Sequence, residues 1–460
     1  MKSPVLPSRE LLERYNRPGP RYTSYPPVPF WSTEFAEQEY RAVLAEVAAT
    51  PEDTLSLYVH LPFCAERCAY CGCNATVTRH AHVVDRYLDR VERELALIAP
   101  LLGGKRKVVQ MHWGGGTPNF LSAAQTRRLF GLLDGAFAID RSAEIALEMD
   151  PRIGTYEQLV MLRELGFNRV SFGVQDIHPM VQTAIGRIQP IEQTESLYRW
   201  ARDLGFASIN LDLVYGLPFQ TPEVFAATLR AITELRPDRV ACFSYAHLPQ
   251  SRPNQKRVDA SGLPEPHVKA GLFHQALAAF AESGYSWIGM DHFALADDEL
   301  AVAADERKLH RNFMGYTTRP TPHQLALGAS AISDLGGTYV QNDAALGRYQ
   351  RVIDDGRLPV VRGHRMSDDD RLRRLAITHL MCNLELPYNL GRAEFGTPVG
   401  ETLADEIVRV QAFAEEGFVE LLPDRLQVSE LGRFFIRNLA MELDAYQKPG
   451  PARPLFSSTV

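Results

Sequence analysis

Short apolar runs alternate with longer amphipathic stretches between Leu55 and Tyr245, and this alternation predicts repeated βα units. The short runs are rich in β-branched residues, which is typical of buried strands in a parallel sheet. The predicted strands are Leu55–Leu61, Lys107–Trp113, Glu144–Met149, Arg169–Val174, Ser208–Val214 and Arg239–Tyr245. The predicted helices between them are Val83–Ala99, Ala123–Phe137, Tyr156–Leu165, Ile191–Leu204 and Pro222–Leu235.

Capping signals mark the ends of these helices. Ser122 and Thr155 stand where N-caps are expected, and Thr221 is followed by a first-turn proline and glutamate. Glycines at three helix ends each precede another apolar run, in Leu165-Gly-Phe, Leu204-Gly-Phe and Ser283-Gly-Tyr. Six such units fit the pattern better than eight. The sequence therefore predicts an α/β fold built on a partial (β/α)6 barrel rather than a closed eight-stranded one.

The repeat divides the chain into three predicted regions. Residues 1–50 are expected to form an N-terminal extension, which either lies as a strap on the main domain or covers a pocket over the active site. Residues 51–362 are expected to form the barrel with substrate-side additions, including a helix near His267–Glu282. Residues 363–460 are expected to form a mostly helical, winged-helix-like C-terminal domain. Its predicted elements are the helices Asp368–Met381, Glu401–Glu416 and Glu430–Tyr446 and a hairpin at Gly417–Val428.

The composition is that of an ordinary globular protein. The 460 residues are 45% hydrophobic and carry a net charge of −7, so no global basic field is available for nucleic acid or an anionic membrane. No apolar run approaches the roughly 20 residues of a membrane span, and the N-terminal sequence lacks the apolar core of a secretory signal. Clustered thiols without a disulfide framework indicate the reducing cytoplasm, and a monomer is expected.

Four of the six cysteines lie within ten positions, in Cys64-Ala-Glu-Arg-Cys68-Ala-Tyr-Cys71-Gly-Cys73. Thiolates this close can converge on one soft metal centre, either a closed zinc site or an iron–sulfur cluster. Structural zinc sites usually use two well-separated cysteine pairs, whereas a compact C-x3-C-x2-C loop suits three corners of a [4Fe–4S] cube. The spacing therefore favours a cluster with one iron left open for a ligand that is not cysteine.

Polar residues follow the predicted strands, at the end where the βα loops of a parallel barrel form the ligand-binding mouth. Strand two leads into Gly114-Gly-Gly-Thr-Pro118, and Glu148, Gln175 and Asp212 lie at later strand ends. Glycine backbone can offer N–H groups to a carboxylate, and Glu148 can accept a hydrogen bond from an amine. Each of these residues also has an interpretation without a ligand. Glu148 could form a salt bridge within the protein, and Gln175 and Asp212 could be strand-end residues whose hydrogen bonds are made within the protein. Together with the open iron, the set suits an amino-acid-like ligand, as S-adenosylmethionine is in radical enzymes.

These motifs resemble the radical SAM superfamily, in which an aromatic residue such as Tyr70 precedes the third cysteine. Further segments resemble one family within it, the oxygen-independent coproporphyrinogen III oxidases, over nearly the whole chain. They are Gly19-Pro-Arg-Tyr-Thr-Ser-Tyr-Pro26, Tyr58-Val-His-Leu-Pro-Phe-Cys64, Cys71-Gly-Cys73-Asn74, Gly289-Met-Asp-His-Phe293 and His310-Arg-Asn-Phe313. One departure is Met314, which stands where a polar residue is expected.

The resemblance implies oxidative decarboxylation of two propionate side chains of coproporphyrinogen III to vinyl groups, which gives protoporphyrinogen IX in haem biosynthesis. A [4Fe–4S] cluster would pass an electron to S-adenosylmethionine, and the resulting 5′-deoxyadenosyl radical would take a hydrogen from a propionate β-carbon. A radical is needed because an unactivated C–H bond is too weakly acidic for general-base catalysis. A low-potential electron donor of flavodoxin or ferredoxin type and an electron acceptor are also implied.

The resemblance also implies residue roles. Cys64, Cys68 and Cys71 would ligate the cluster, while Cys73 would mark the family without binding metal. Tyr58, Gly115 and Glu148 would contact the S-adenosylmethionine that chelates the cluster. A second S-adenosylmethionine, either catalytic or occupying the porphyrinogen site, would lie among Tyr70, Gly116, Thr117, Gln175, Arg187, Asp212, Ala246 and Ile332. Arg21 and Arg311 are expected partners for the substrate carboxylates. The candidate catalytic residues are accordingly Tyr58, Glu148, Ile332, Arg21 and Arg311.

Two other functions stay open at this point. A haem chaperone of the same superfamily would bind haem without making porphyrin, and it would be expected to lack Cys73 and the segment from Gly19 to Pro26, both of which are present. A zinc-stabilised binding module would use the cysteines for structure alone. The colour of the protein separates this last class from an iron–sulfur enzyme, which is brown.

Overall fold

The computed structural model describes residues 7–447 and 456–459, and one large sheet forms its centre. Residues 1–6, 448–455 and 460, which belong to the two outer predicted regions, lie outside the described residues. Two helices precede the sheet, α1 (Arg9–Tyr15) and α2 (Glu37–Ala48).

The barrel follows the predicted alternation of strands and helices. Its strands are β1 (Leu55–Leu61), β2 (Phe63–Cys64), β3 (Thr76–Val77), β4 (Lys107–Gly115), β5 (Ala138–Met149), β6 (Arg169–Gln175), β7 (Ser208–Tyr215) and β8 (Arg239–Ser244). Its helices are α3 (Ala81–Ile98), α4 (Ala123–Ala136), α5 (Tyr156–Glu164), α6 (Pro179–Ile185), α7 (Ile191–Asp203) and α8 (Pro222–Leu235). Strands β1, β4, β5, β6, β7 and β8 pair in parallel in that order, so the predicted partial barrel is confirmed.

Local sequence explains where these helices begin. Ser122 Oγ accepts a hydrogen bond from the Gln125 backbone N–H at 3.3 Å, and Thr155 Oγ1 accepts one from the Gln158 N–H at 3.2 Å. Each cap satisfies a backbone donor that the first turn of a helix leaves free. The helices pack on the sheet and bury a continuous apolar core between the two layers.

The sheet extends past the six predicted strands at both edges. The elements of this part are α9 (Pro266–Glu282), β9 (Tyr285–Gly289), β10 (His292–Leu295), α10 (Glu299–Asp305), β11 (His310–Asn312), β12 (Gly315–Thr317), β13 (His323–Leu327), β14 (Ile332–Leu335), β15 (Thr338–Asn342), α11 (Leu346–Asp354) and β16 (Val360–Arg365). Strand β13 pairs in parallel with β1, and β14 to β16 continue antiparallel, while β10 and β9 extend the edge at β8. Short strands of this kind carry little periodic signal, which is why the sequence did not reveal them.

The C-terminal region has helices around a small sheet. Its elements are α12 (Asp368–Asn383), β17 (Glu385–Pro387), α13 (Arg392–Phe395), α14 (Val399–Thr402), α15 (Ala404–Gln411), β18 (Val419–Leu421), β19 (Arg425–Val428) and α16 (Ile436–Met441). The predicted hairpin is confirmed as β18 and β19. The predicted helix Glu401–Glu416 is wrong in extent, because Leu403 has a non-helical backbone between α14 and α15. The last predicted helix, Glu430–Tyr446, is reduced to α16 behind a 3-10 turn.

Tight 3-10 turns complete the secondary structure. They are Val28–Phe30, Ala99–Leu102, Pro118–Phe120, Pro151–Ile153, Pro253–Arg257, Ala260–Gly262, Ala412–Ala414 and Gly432–Phe435. No helix in residues 7–447 and 456–459 is long and apolar enough to cross a lipid bilayer.

The described part of the N-terminal extension connects both regions. Helix α2 buries Val43 and Leu44 in the main core, whereas Tyr22 and Tyr25 belong to the core of the C-terminal region. The Tyr22 hydroxyl donates a hydrogen bond to Asp444 Oδ2 at 2.9 Å. The extension is therefore a strap across the two regions, and Arg21 beside Tyr22 also borders a cavity described below.

Candidate active site

The sulfur atoms of the cysteine loop lie among hydrogen-bond donors. Thr117 Oγ1 donates to Cys64 Sγ across 3.2 Å, and the Cys73 backbone N–H donates to Cys71 Sγ across 3.4 Å. Hydrogen bonds from the Cys73 thiol and from the Cys73 backbone N–H lower the pKa of Cys71 to about 6, whereas burial raises the pKa of Cys64 to about 11. Donors that face a sulfur stabilise the thiolate, which is the form that binds iron.

An ion-pair cluster lies behind the third predicted ligand, Cys68. Arg187 Nη1 is 3.7 Å and Arg152 Nη2 is 3.9 Å from Cys68 Sγ. Asp150 binds both guanidinium groups, with two contacts of 3.1 Å to Arg187 and three contacts of 2.6, 3.0 and 3.2 Å to Arg152. One carboxylate therefore serves two cations, and the excess positive charge faces the sulfur. Positive charge and N–H donors at this place fit an anionic iron–sulfur cluster held by thiolates.

The two candidate metal centres of the cysteine loop require different arrangements of thiolates. Among the residues that the structure describes, no three His, Cys, Asp or Glu side chains are arranged to hold a single metal ion. The ligands of a zinc ion share one centre, whereas the thiolates of a cube each bind a different iron and stand farther apart. The hydrogen-bond donors and cations that face the cysteine sulfurs are the observations that fit a cluster.

Close packing explains the glycines after β4. A Cβ atom on Gly114 would lie 2.9 Å from Glu148 Oε1, and one on Gly115 would lie 2.6 Å from the His60 ring. Gly115 also has a φ of +117°, which disfavours any residue with a side chain. The glycines thus allow the ends of β1, β4 and β5 to approach one another.

The backbone donors of this glycine segment are already used within the protein. The Gly115 N–H donates to Glu148 Oε2 at 3.1 Å, and the Gly116 N–H donates to the Leu61 carbonyl at 2.9 Å. The Thr117 N–H is likewise bound to a carbonyl of the segment after β1. The expectation that these N–H groups face a ligand carboxylate is therefore wrong, because they already donate hydrogen bonds to groups of the neighbouring strands.

Two acids of the barrel, Glu148 on β5 and Asp212 on β7, have pKa values shifted in opposite directions. Burial raises the pKa of Glu148, but hydrogen bonds from His112 and Gly115 outweigh it, so that the net shift is downward. Burial and the charge of Glu148 raise the pKa of Asp212 to about 7, against hydrogen bonds from Asn210 and a serine. The mouth therefore holds one firmly ionised carboxylate, suited to an ammonium group, and one acid that can carry a proton near neutral pH.

The structure brings most of the predicted site residues to the same barrel mouth. Tyr58 stacks on His112, with ring centroids 6.0 Å apart, and its hydroxyl lies 3.2 Å from His60 Nδ1. Gln175 is buried with a φ of +71° at the end of β6, next to the Arg187 guanidinium. Gly115, Gly116, Thr117, Glu148 and Gln175 lie at or beside the C-terminal ends of β4, β5 and β6. Tyr58 and Asp212 lie three residues before the ends of β1 and β7, and Arg187 follows α6.

The remaining predicted residues lie around this centre. Gln255 donates to the carbonyls of Tyr70, at 2.8 Å, and Ala246, at 3.1 Å. Ile332 begins β14 and packs against the apolar cluster that contains Trp31. Met314 is half-buried in the turn after β11, with its backbone N–H bonded to a side chain of that strand.

A cavity of about 970 Å³ opens beside the ends of β7 and β8. Tyr215 and Ala246 line it from the barrel, and Arg437 lines it from the C-terminal region. Lys269 from α9 also faces it and donates to the Tyr245 carbonyl at 2.7 Å, and burial lowers the Lys269 pKa to about 8. The cavity thus combines apolar walls with cations, which suits a large ligand that carries carboxylates.

The two arginines predicted to bind substrate differ in position. Arg21 lines the cavity, but its guanidinium is paired with the buried Asp291 carboxylate, with one contact of 2.8 Å. Arg311 donates to the backbone carbonyl of Arg21 and stacks over Tyr316. Arg311 is absent from the cavity lining in the described part of the chain.

Sequence reasoning gave no role to several residues of the site. Asp150 lies two residues after Glu148, so its strand-end position was a usable signal. Asn254, Gln255 and Lys269 belong to no motif, and only their position in the fold reveals them.

Comparison with known proteins agrees with this geometry. Residues 58–232 match the model of the radical SAM superfamily, and residues 366–435 match the HemN C-terminal domain. The chain is 44% identical over 450 residues to the oxygen-independent coproporphyrinogen III oxidase of Salmonella typhimurium, covering 98% of each protein. It is 41% identical over 462 residues to that of Synechocystis sp., again covering 98% of each. The solved coproporphyrinogen III oxidase of Escherichia coli, described as a radical SAM enzyme, superimposes with a TM-score of 0.91 and 42% identity, covering 97% of this chain and 100% of that one. The chain therefore belongs to the family of oxygen-independent coproporphyrinogen III oxidases, which are radical SAM enzymes with a [4Fe–4S] cluster.

Proposed function

We propose that this protein converts coproporphyrinogen III to protoporphyrinogen IX by oxidative decarboxylation of two propionate side chains to vinyl groups. The observation that carries the proposal is the meeting of three features at one barrel mouth. These are a thiolate-stabilising cysteine loop, the ionised Glu148 and the adjacent cavity with Lys269 and Arg437 on its walls. A haem chaperone of the same superfamily would be expected to lack Cys73 and the segment from Gly19 to Pro26, and the presence of both favours the oxidase.

Different residues of the barrel mouth have different proposed roles. When bound, the cluster and S-adenosylmethionine supply a carbon radical that can take hydrogen from an unactivated C–H bond. Cys64, Cys68 and Cys71 hold the cluster, and Cys73 contributes its backbone N–H to the Cys71 sulfur. Glu148 accepts the ammonium group of S-adenosylmethionine, because it is the ionised acid nearest to the glycine segment.

The first S-adenosylmethionine would also contact Tyr58 and Gly115. The surrounding positions, which would border a second S-adenosylmethionine or the porphyrinogen itself, are Tyr70, Gly116, Thr117, Gln175, Arg187, Asp212, Ala246 and Ile332. Ala246 also lines the large cavity, so this group connects the cluster side of the mouth to the substrate side.

The substrate carboxylates are held by cations of the cavity. Arg21 lines the cavity, and Asp291 holds its guanidinium in place. Arg311 supports the Arg21 backbone and stays a predicted carboxylate partner. Lys269 is the stronger candidate, because burial depresses its pKa and no carboxylate of the described residues is hydrogen-bonded to it. A bound propionate would supply the missing partner.

The three regions of the chain and the partners of the protein have proposed roles in the same reaction. The N-terminal extension (residues 1–50) and the C-terminal domain (363–460) contribute described residues such as Arg21 and Arg437 to the cavity lining, and residues 51–362 are proposed to carry the chemistry. The protein is proposed to act in the cytoplasm as a monomer without nucleic acid or membrane. A low-potential flavodoxin or ferredoxin supplies electrons, and a separate acceptor removes the electron left after each decarboxylation.

Anaerobic incubation tests the function directly. Reconstituted protein, coproporphyrinogen III, S-adenosylmethionine and a chemical reductant should yield a product with two vinyl groups, methionine and 5′-deoxyadenosine. Tight haem binding with no vinyl product would support the haem chaperone instead. A colourless protein that contains zinc and no iron would contradict both functions.

A further inference from the structure

A basic surface surrounds the cysteine loop of an otherwise acidic protein. Residues 64–82 and 246–259 contain five Lys or Arg and two Asp or Glu, a local charge of +3, whereas the whole chain carries −7. The five cations define the basic surface and are Arg67, Arg79, Arg252, Lys256 and Arg257. Four of the five are exposed, and Arg67 is half-buried.

Hydrogen bonds fix this surface to the cysteine loop. Asn254 Nδ2 donates to the carbonyls of Cys68, at 3.2 Å, and Cys71, at 2.9 Å. Asn254 lies in the 3-10 turn Pro253–Arg257, so the exposed side chains of Lys256 and Arg257 follow it within three residues. The turn thus holds cations at a fixed position beside two of the three cluster ligands.

Exposed apolar side chains lie at the same place. Ile188 is 59% exposed, and it follows Arg187, which faces the Cys68 sulfur. Val77 is 49% exposed and is paired with Cys64 across the short strands β2 and β3. Exposed apolar side chains among mainly positive charges are typical of interfaces that form and dissociate quickly.

We propose that the basic surface is the docking site for an acidic one-electron carrier protein of the flavodoxin or ferredoxin class. The proposal rests on the proposed function, in which the cysteine loop holds the cluster. An acidic carrier would be steered to this region, because its local charge of +3 is opposite in sign to the net charge of −7 of the chain. One electron passes from the reduced centre of the carrier to the cluster, the carrier is oxidised by one electron, and no atom is transferred.

Charge reversal on this surface tests the proposal. The variant Arg252→Glu/Lys256→Glu changes two exposed side chains that bind neither the cysteine loop nor substrate. The matched control Arg141→Glu/Arg230→Glu makes the same charge change at exposed positions on β5 and α8, outside the basic surface. Binding of oxidised flavodoxin and, separately, ferredoxin to each reconstituted holoenzyme is measured by anaerobic calorimetry at low and high salt.

The expected result is at least a 10-fold increase in Kd for Arg252→Glu/Lys256→Glu and less than a 2-fold change for the control. Binding of the unmodified holoenzyme should also weaken steeply with salt. Binding of one carrier only supports the proposal and identifies the donor class. Equal loss in the two variants, binding of neither carrier, or equally tight binding of a mixed-sequence oligonucleotide would overturn it.

Activity separates this proposal from the proposed function. With a chemical reductant, both double variants should form product at the rate of the unmodified enzyme. With the carrier as the sole electron source, only Arg252→Glu/Lys256→Glu should be slow. Absence of product under both conditions from every protein would defeat the proposed function, whereas carrier-supported activity and Kd values that are the same in all three would defeat the docking site alone.

Discussion

The carboxylate of Glu148 and the backbone N–H of Gly115 are joined by a hydrogen bond of 3.1 Å, so the strand-end acid and the glycine segment form one unit. The other carboxylate oxygen of Glu148 lies 3.3 Å from His112 Nε2. These two contacts fix the acid at the end of β5 and keep it ionised, because donors to a carboxylate favour its charged form. An ammonium group is therefore the natural partner for the remaining lone pairs.

Replacing Glu148 by Gln should weaken S-adenosylmethionine binding. The substitution removes the charge and keeps the shape, and a hydrogen bond to a charged group is worth about 1.5–3 kcal/mol. The Kd for S-adenosylmethionine should thus rise at least 10-fold in equilibrium dialysis with reconstituted protein. Iron content should not change. Glu164→Gln, an exposed acid paired with Arg127, is the control and should bind normally; unchanged binding by Glu148→Gln would contradict the assigned role.

Serine substitutions should distinguish the cysteines that bind the cluster from Cys73, which does not bind it. Cys71→Ser should lose most of its iron and its absorption near 400 nm, because Cys71 is one of three thiolate ligands. Cys73→Ser should keep both, since serine retains the backbone N–H and a side-chain donor toward the Cys71 sulfur. Iron analysis and absorption spectra of the anaerobically reconstituted proteins test this. Iron loss in Cys73→Ser would show that four cysteines hold metal.

Arg187→Met should destabilise the protein and make the cluster harder to reduce. The change leaves the buried Asp150 with Arg152 as its remaining arginine partner, and removal of one member of a buried ion pair costs about 3–5 kcal/mol. It also removes positive charge 3.7 Å from the Cys68 sulfur, so the reduction potential should become more negative. Urea unfolding and anaerobic redox titration measure the two effects. Arg199→Met, which breaks an exposed pair, should change neither.

Lys269 should hold a substrate carboxylate only while it is protonated. Its pKa is lowered to about 8 by burial, so its charge is present below that pH and is lost as the pH rises through it. The KM for coproporphyrinogen III should therefore increase between pH 7 and 9, while binding of S-adenosylmethionine stays constant.

Lys269→Met should raise the KM for coproporphyrinogen III about 10-fold at pH 7, since hydrogen bonds to charged groups are worth about 1.5–3 kcal/mol. The variant should also lose this part of the pH dependence. The exposed Lys105→Met is the matched control. A KM in Lys269→Met that equals that of the control would remove Lys269 from the substrate site.

The buried Glu94 should make stability depend on pH. It accepts hydrogen bonds from the Gly328 N–H, Asn342 and Tyr349, and burial raises its pKa from 4.5 to about 7. The folded protein therefore keeps a proton that the unfolded chain releases, and the stability from this group is full below pH 4.5 and lost as the pH rises through 7. A pKa difference of this size corresponds to about 3 kcal/mol.

Glu94→Gln cannot titrate, so its free energy of unfolding should vary less between pH 5 and 8 than that of the unmodified protein. Urea unfolding at several pH values, followed by circular dichroism, measures the difference. Glu92→Gln, an exposed position on the same helix, should retain the original pH dependence. Parallel pH profiles for Glu94→Gln and the unmodified protein would contradict the assignment.

Local pattern in the sequence determined the barrel and the type of chemistry. Apolar runs such as Leu55–Leu61 must be buried on both faces, and Ser122 or Thr155 must cap a helix, whatever lies elsewhere in the chain. The C-x3-C-x2-C spacing likewise fixes three thiols in one short loop. Such features depend on residues a few positions apart, so they can be read before the fold is known.

Tertiary structure alone decided how distant segments meet. Strand β13 pairs with β1 although more than 200 residues separate them, and Asn254 binds the carbonyl of Cys68 across 186 positions. Arg187 and Asp150 meet only because the ends of β5 and β6 adjoin. The N–H groups of Gly115 and Gly116 are not free for a ligand, because they donate hydrogen bonds to residues of neighbouring strands that are distant in sequence. Which surfaces pack together depends on the free energy of the whole chain, and no local pattern of residues encodes it.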